Sequence, residues 1–388
     1  MALETYNAND IVYTVSPEPE LPIGLKPQAV IRGRLLDEMT NQPSVGAIYI
    51  DSPYAGISPR VGSGGLVGFA AIPVRAFPEL KNAPVSVPVN LVADGYLPLF
   101  RSVPILQDVN FPSSFSLGDM GDLLLHRLPT IISGRVLLNT GTAATAIPGA
   151  AITLTGVWRS LPPASMVVPP APPDLVSLSP GIYSDRSAAG SQVQGLKYLG
   201  APGPDKSLLN DAMAAQSQLM LSDRHLIAPN DILAIDTMDA ERTEFVTVKT
   251  VTGASADDLP AQVTLASPLR ASHRQGATVH KIQFQNVGPA IALGDDAIAG
   301  DVCIFVNGVA NLTSAPFVSI TQGVMPTEYH SASYFQTTSD AQGFFRFPPI
   351  SRVAQCGLRC HDGVHPDLDV LHCPNYEAEV SRIDFAYH

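Results

Sequence analysis

IRGRLLDEMTNQPSVGAIYI, from Ile31 to Ile50, and ISGRVLLNTGTAATAIPGAAITL, from Ile132 to Leu154, are two versions of one phrase. In each, a Gly-Arg step (Gly33-Arg34, Gly134-Arg135) opens an alternating apolar run. A polar turn rich in Thr and Asn follows, and a second alternating run begins after Gly46 or Gly149. Alternation with a period of two places apolar side chains on one face of an extended strand. Each copy therefore reads as the opening hairpin of a small β-sandwich, and the pair predicts a multi-module β protein.

The 388 residues include 35 Pro and 30 Gly, which punctuate the chain every ten to fifteen residues and leave little room for long helices. Only Asp205 to Leu221, DKSLLNDAMAAQSQLML, has the spacing for two or more helical turns, with Asp205 as cap and Leu208, Leu209, Ala212 and Met213 near helical period. Elsewhere short runs rich in Val, Ile, Thr and Phe read as all-β.

Charged residues make up 15% of the chain, against roughly 25% in ordinary globular proteins. A surface partly covered by partners and a Ser/Thr/Gly/Pro-rich β surface both account for this. The net charge of -12, with no Lys/Arg cluster, argues against a nucleic-acid partner, which needs a basic patch. MALETYNANDIVYTV lacks the positive and apolar regions of a leader, and no run of about 18 apolar residues occurs. The expectation is a chain assembled in the cytoplasm, without membrane insertion, that either stays there or leaves as part of a released extracellular particle. Four cysteines are too few for a disulfide scaffold, so reduced thiols are expected.

Residues 1–27 read as an extended arm, since SPEPELPIGLKP carries four prolines in twelve residues. Residues 28–128 trace a first sandwich, with strands at Leu66 to Arg75 and Val85 to Ala93 and a turn at Asp94-Gly95. After the strand Ala151 to Val157 the second copy runs into LPPASMVVPPAPPD, too proline-dense for a central strand. Its closing strands come much later, at Phe344 to Phe347, Cys356 to Cys360 and Ile383 to Tyr387. The second sandwich is therefore expected to be split, 129–160 plus 321–388, around an inserted β-repeat domain at 161–320. Inside the insertion, Val176 to Val193 echoes Val263 to Val279 and Leu219 to Asp236 echoes Ala290 to Val306, the pattern of one or two barrel-like units made from half-repeats.

The two Gly-Arg hairpins, the run Ile147-Pro148-Gly149-Ala150-Ala151-Ile152 and the segment Ser339-Asp340-Ala341-Gln342-Gly343-Phe344-Phe345-Arg346-Phe347 resemble the carboxypeptidase regulatory-like family. That resemblance covers about half of the chain. It implies a transthyretin-type seven-stranded sandwich and no particular activity. The first copy departs from the family pattern in lacking an Asp-x-x-Gly-x-Phe segment, and no zinc-binding His-x-x-Glu pair of a metallocarboxypeptidase is present. The half-repeats, with NDILAID, EFVTVKTV and VTLASPLRASH, resemble segments of proteins from phage-tail-like contractile injection particles.

The densest chemistry is the C-terminal set Cys356, Cys360, His361, His365, His372 and Cys373. Cys and His suit tetrahedral zinc, but Cys356 and Cys360 on one strand lie roughly 13 Å apart. Cys360, His365, His372 and Cys373 remain the zinc candidates, and buried packing of the cysteines is the stronger reading. Asp295, Asp296 and Asp301, or Asp367 and Asp369, are calcium candidates by oxygen chemistry alone. Asp119 and Asp122 have the spacing of paired carboxylates, with a turn before Leu123 to His126 as the alternative. Trp158 and Tyr183 could line a sugar surface or seal a module junction. VGSGGLVG at Val61 to Gly68 lacks the Lys-Ser/Thr of a phosphate loop and reads as a flexible hairpin tip. No catalytic residue or cofactor emerges. The expected function is a non-enzymatic structural subunit, a cap, baseplate or accessory part of a contractile phage-tail-like particle that binds other subunits of a homo- or hetero-oligomer. A glycan- or cell-surface-binding adhesin module is the alternative.

Overall fold

Each Gly-Arg repeat becomes an interior strand, Ala29–Asp37 in one case and Thr130–Asn139 in the other. The computed structural model describes residues 4–8, 11–15, 29–44, 48–51, 58–71, 83–106, 118–141, 143–159, 174–183, 186–239, 242–253, 259–310, 312, 315–323 and 327–388. These residues are all-β, with one short 3-10 turn at Ser63–Gly65. The chain divides into two units, Met1–Leu128 and Pro129–His388.

In the first unit, Ala29–Asp37 pairs antiparallel with Leu66–Ala71 and parallel with Gly118–Leu125. A second sheet of Ile48–Asp51, Val85–Ala93 and Leu99–Ile105 shares its core, which includes Leu35, Val67, Val87, Leu91 and Leu125. Val85–Ala93 alternates buried and more exposed residues throughout, as a strand with one face on a core must. In the second unit, Thr130–Asn139 pairs antiparallel with Phe344–Ile350 and parallel with Val380–Arg382 and Phe385–Tyr387. The companion sheet runs in the order Gln336–Thr338, Ala151–Trp158, Gln355–His361, Leu368–His372. Strands from both ends of this unit thus build one core, in which Ile132, Ile152, Phe347, Leu358 and Phe385 are buried together.

The pairing explains the repeated phrase. The parallel closing strand passes directly over the glycine of each Gly-Arg step. A Cβ on Gly134 would lie 1.6 Å from the Ile383 carbonyl oxygen, and one on Gly33 would lie 3.1 Å from the Met120 Cβ. The arginine that follows meets an aspartate of the same closing strand. Arg34 makes a two-pronged pair with Asp122 at 2.9 and 2.7 Å, while the Arg135 backbone N–H donates to Asp384 at 2.9 Å.

VGSGGLVG forms a hairpin tip, as expected, between the antiparallel strands Ser58–Val61 and Leu66–Ala71, and its turn has an equivalent in the second copy. In the second copy the Asp340 N–H donates to the Phe344 carbonyl at 2.8 Å, and Gly343 takes φ 77°. In the first copy the Gly62 N–H donates to the Leu66 carbonyl at 2.8 Å, and Gly65 also takes φ 77°. A Cβ would fall 2.3 Å from the Leu35 oxygen at Gly65 and 2.6 Å from the Val136 oxygen at Gly343, and Leu35 and Val136 each follow the Gly-Arg step directly. The same turn is made without the aspartate.

Between Ala151–Trp158 and Gln336–Thr338 lie two closed sheets, one nested within the other in chain order. The outer sheet has the order Phe284–Ala292, Gln192–Tyr198, Phe317–Thr321, Glu328–Tyr334, Asp174–Ser179, Cys303–Val306, and a Leu293–Val306 bridge joins its ends. Its last strand ends at Tyr334, beyond the boundary of 320 expected for the insertion. The inner sheet has the order Lys206–Ser207, Thr278–Ile282, Ile232–Ile235, Glu244–Gly253, Ala261–Leu265, Gln218–Leu221, closed by a Leu208–Leu221 bridge. Closure removes the open strand edges that invite aggregation.

The helix expected over Asp205 to Leu221 does not form. Leu208, Ala212, Leu219 and Leu221 are all buried in the core of the inner sheet, and Ala215 adopts a left-handed φ of 69° that a helix cannot contain. Burial from two strands and a loop overrides the weak local propensity. At the N-terminus, Glu4–Ala8 and Ile11–Val15 pair as an antiparallel hairpin, so this part of the expected extended arm is folded back. The proline-dense stretches at 16–28 and 161–173, and residues 72–75 of the expected strand Leu66 to Arg75, lie outside the described residues.

Gly134→Ala is expected to destabilise the second unit by about 3 kcal/mol or more, because backbone must move. Gly149→Ala, at φ 74° with open space around it, is expected to cost only about 1–2 kcal/mol. Urea unfolding followed by fluorescence of the single tryptophan, Trp158, which lies in this unit, compares the two.

Candidate functional site

Several deeply buried polar residues of the second unit, among them Asp301, Arg352, Glu244 and His273, lie near where its modules join. One residue, Phe335, separates the outer closed sheet from Gln336–Thr338, and its carbonyl accepts the Leu154 N–H at 3.0 Å. Leu175, Cys303 and Phe305 of the closed sheet share a core with Val157, Phe345 and Cys356 of the two-sheet body. At this joint Arg352, 4% exposed, donates from Nη1 to Asp301 Oδ2 at 2.7 Å and to the Asp296 carbonyl at 2.5 Å. Asp301 is fully buried and also accepts the Ile298 N–H at 3.0 Å. Arg159 pairs with Asp295. Burial, followed by the neighbouring Arg352, pulls the Arg159 guanidinium down to about 10, with Asp301 and Asp296 opposing. The candidate calcium acids Asp295, Asp296 and Asp301 are therefore held by arginines and backbone. The oxygen chemistry was legible in the sequence, but the arginines that answer it come from remote segments.

The second joint links the two closed sheets. A single residue, Gln283, separates Thr278–Ile282 from Phe284–Ala292, and its carbonyl accepts the Leu199 N–H at 2.8 Å. An aromatic cluster spans the joint, with Phe284 stacked on Tyr198 and on Tyr329 and edge-on to Phe245. Nearby, buried His273 lies between Glu244 at 3.2 Å and Asp236 at 3.4 Å, and the Glu244 carboxylate accepts the backbone N–H groups of Arg270 and Ala271. The Arg270 guanidinium lies 4.7 Å from the ring centroid of Tyr183, whose own N–H donates to Glu328. Burial, then the charges of Glu244 and Glu328, pushes the Tyr183 hydroxyl well above its ordinary range. Tyr183 is thus buried inside a joint and offers no sugar platform. Trp158 is half-buried at the other joint, at the end of its strand.

The C-terminal Cys/His set does not converge. Cys356 and Cys360 point into the core, and burial pushes the Cys356 thiol up to about 12 and raises Cys360. Either shift opposes the thiolate that zinc needs. The Nδ1 of His365 contacts Asp362 at 2.6 Å, Nε2 of His372 contacts the Ser381 hydroxyl at 2.8 Å, and Cys373 is exposed, with the Gln355 amide at 3.8 Å. Among the described residues no group of three or more His, Cys, Asp or Glu is placed to hold a metal. Asp367 pairs with His361 at 2.7 Å, and Asp369 pairs with Arg359 at 2.8 and 2.9 Å.

Asp119 and Asp122 sit within the strand Gly118–Leu125 and not in a turn before it. They face Arg32 and Arg34, and the hydrogen bonds from Arg34 hold the Asp122 carboxyl below its usual range. One carboxylate buried in the first unit is Asp37, which no motif marks. It accepts hydrogen bonds from Arg127 at 2.6 Å, Tyr96 at 2.9 Å and the Thr40 N–H at 2.8 Å. Burial alone would raise its pKa, yet these donors hold it below the ordinary value.

No protein-family model matches the chain, and no curated protein matches it. Among solved structures the chain is similar to BcpA, the major pilin subunit of Bacillus cereus, at 10% identity and a TM-score of 0.19, over 92% of this chain and 99% of that chain. A variant of the same pilin gives 9% identity and a TM-score of 0.18, over 92% and 98%. Likeness at this level carries no argument about function.

Arg352→Ala would leave Asp301 buried without its cation, and is expected to destabilise the second unit by about 3–5 kcal/mol. Asp369→Asn, at an exposed pair, is expected to leave the urea midpoint essentially unchanged.

Proposed function

We propose that this chain is a non-enzymatic structural subunit of a large protein assembly, most concretely a cap, baseplate or accessory subunit of a contractile phage-tail-like injection particle. On this reading its two-sheet bodies are relatives of the carboxypeptidase regulatory-like sandwich, serving as rigid spacers. The observation that carries the proposal is the construction of the joints in the second unit. At each, the returning chain crosses through a single residue, Phe335 or Gln283, hydrogen-bonded to the outgoing chain at Leu154 or Leu199. Each joint also has its own apolar cluster, extended across it. A module tethered by one flexible linker is free to reorient, whereas one held by two crossings and a shared core is fixed. Fixed presentation suits a part that positions surfaces within an assembly.

Two further features support a role in association. Leu368–His372 ends its sheet and exposes Leu371 and Val370, and such an edge offers unpaired backbone groups to a strand from a neighbouring subunit. The charge of -12 suits protein partners better than nucleic acid. Among the described residues no helix is long and apolar enough to cross a membrane.

Gradient sedimentation of a gentle lysate, followed by mass spectrometry of the fraction holding this chain, tests the proposal. The expected result is a megadalton fraction containing sheath- and tube-like proteins. Migration as a free 41 kDa chain would overturn it.

A further inference from the structure

The inner closed sheet carries a cleft that none of the roles above uses. Its volume is about 510 Å³, within the ~300–1,000 Å³ of ordinary ligand sites. One wall is the loop from Asn210 to Ser217 and the other is the outer face of Gln218–Leu221 and Ala261–Leu265. The loop is fixed to the connection between Ala261–Leu265 and Thr278–Ile282 by reciprocal backbone bonds between Ala212 and His273 at 2.8 and 2.9 Å and by the Leu269 N–H donating to Gln216 at 2.7 Å, and to the sheet by the Leu265 N–H donating to Ser217 at 2.8 Å. His273 is itself held between Glu244 and Asp236, so this wall is organised before any ligand arrives.

The lining mixes polar residues with Ala212, Leu219 and Met220, and among the described residues Asp211 is its only charged one. That carboxylate already accepts the Gln275 N–H through Oδ1 at 2.8 Å. On the floor, Gln262 Nε2 donates to Gln218 Oε1 at 2.7 Å. Two side-chain amides joined by one hydrogen bond each keep at least one free N–H and one free carbonyl lone pair, and this holds whichever way the pair is turned. A donor beside an acceptor complements adjacent hydroxyls, each of which both gives and takes a hydrogen bond. Met220, partly exposed between them at the register position opposite Gln262, supplies an apolar patch for a C–H face. Among the described residues no lysine or arginine lines the cleft, so an anionic ligand would meet no countercharge from them.

From this arrangement we infer that the cleft on the inner closed sheet binds a neutral saccharide, with Gln218 and Gln262 gripping adjacent hydroxyls and Met220 packing against the ring. The inference is independent of the particle proposal, because it concerns a ligand and not a neighbouring subunit.

Isothermal titration of the full chain with glucose, galactose, mannose, N-acetylglucosamine and their neutral disaccharides tests it, alongside the same sugars carrying sialic acid or sulfate. Saturable binding of at least one neutral sugar is expected, weakened about tenfold or more by Gln262→Ala and by Gln218→Ala. Both substitutions lie on the outer face, and an unchanged thermal melt verifies that each variant is folded. The inference is overturned if no neutral sugar binds saturably, if only the anionic forms bind, or if binding survives both substitutions unchanged. None of these outcomes bears on co-sedimentation with particle proteins.

Discussion

Both two-sheet bodies depend on one close approach, the passage of a parallel closing strand over the glycine of a Gly-Arg step. At Gly134 the approach leaves no space for even a methyl group. The adjacent arginine then ties the lead strand to an aspartate of the closing strand, through its side chain at Arg34 and through its backbone N–H at Arg135. With the closing strand seated, Leu125 in one body and Phe385 in the other complete their cores. A second glycine, Gly65 or Gly343, turns the antiparallel neighbour against the residue just after the same step. The repeated phrase is therefore a record of backbone packing, and its conspicuous charge is an accessory to it.

In the second unit this constraint acts across a long separation in sequence. Thr130–Asn139 finds its neighbours only after the chain has built two closed sheets and returned. Loop-closure entropy rises only slowly with length, so a large insertion is tolerable if the inserted part folds on its own account and its ends emerge close together. The joints at Phe335 and Gln283 meet that condition, since outgoing and returning strands are hydrogen-bonded where they cross. Buried charges then fix the docking. A buried ion pair such as Arg352 with Asp301 contributes little net stability against an apolar alternative, but it penalises any arrangement in which either charge loses its partner. Such pairs favour one geometry over others, which is what a positioned module requires.

The strands of the two-sheet bodies were largely legible in the sequence because period-two alternation is a local property: Val85–Ala93 and Ala151–Trp158 fall close to where the pattern puts them. The first copy's glycine turn is legible as a hairpin tip, but its equivalence to the Asp340–Phe344 turn is not, because the aspartate that marks the latter is absent and the feature they share, a left-handed glycine, has no unique spelling. The helix expected near Leu208 failed because its apolar residues serve a barrel core approached from two strands and a loop. The C-terminal Cys/His set drew attention through residue type alone. In the structure the core takes Cys356 and Cys360, Cys373 is exposed, and local carboxylates and a hydroxyl take the histidines. The residues that matter at the joints, Arg159, Arg352, Glu244 and His273, could not be recognised in advance. Their partners lie far away in sequence, and nothing in the spacing connects them.

The account rests on the second unit being one body closed from both ends of its chain. A protease site introduced between Trp158 and Asp174, cut under native conditions and followed by size-exclusion chromatography, tests this directly. The account predicts that the fragment carrying Thr130–Asn139 and Ala151–Trp158 elutes together with the fragment carrying Phe344–Ile350 and Phe385–Tyr387, held by the strand pairing between them. Separation of the two fragments without denaturant would contradict it.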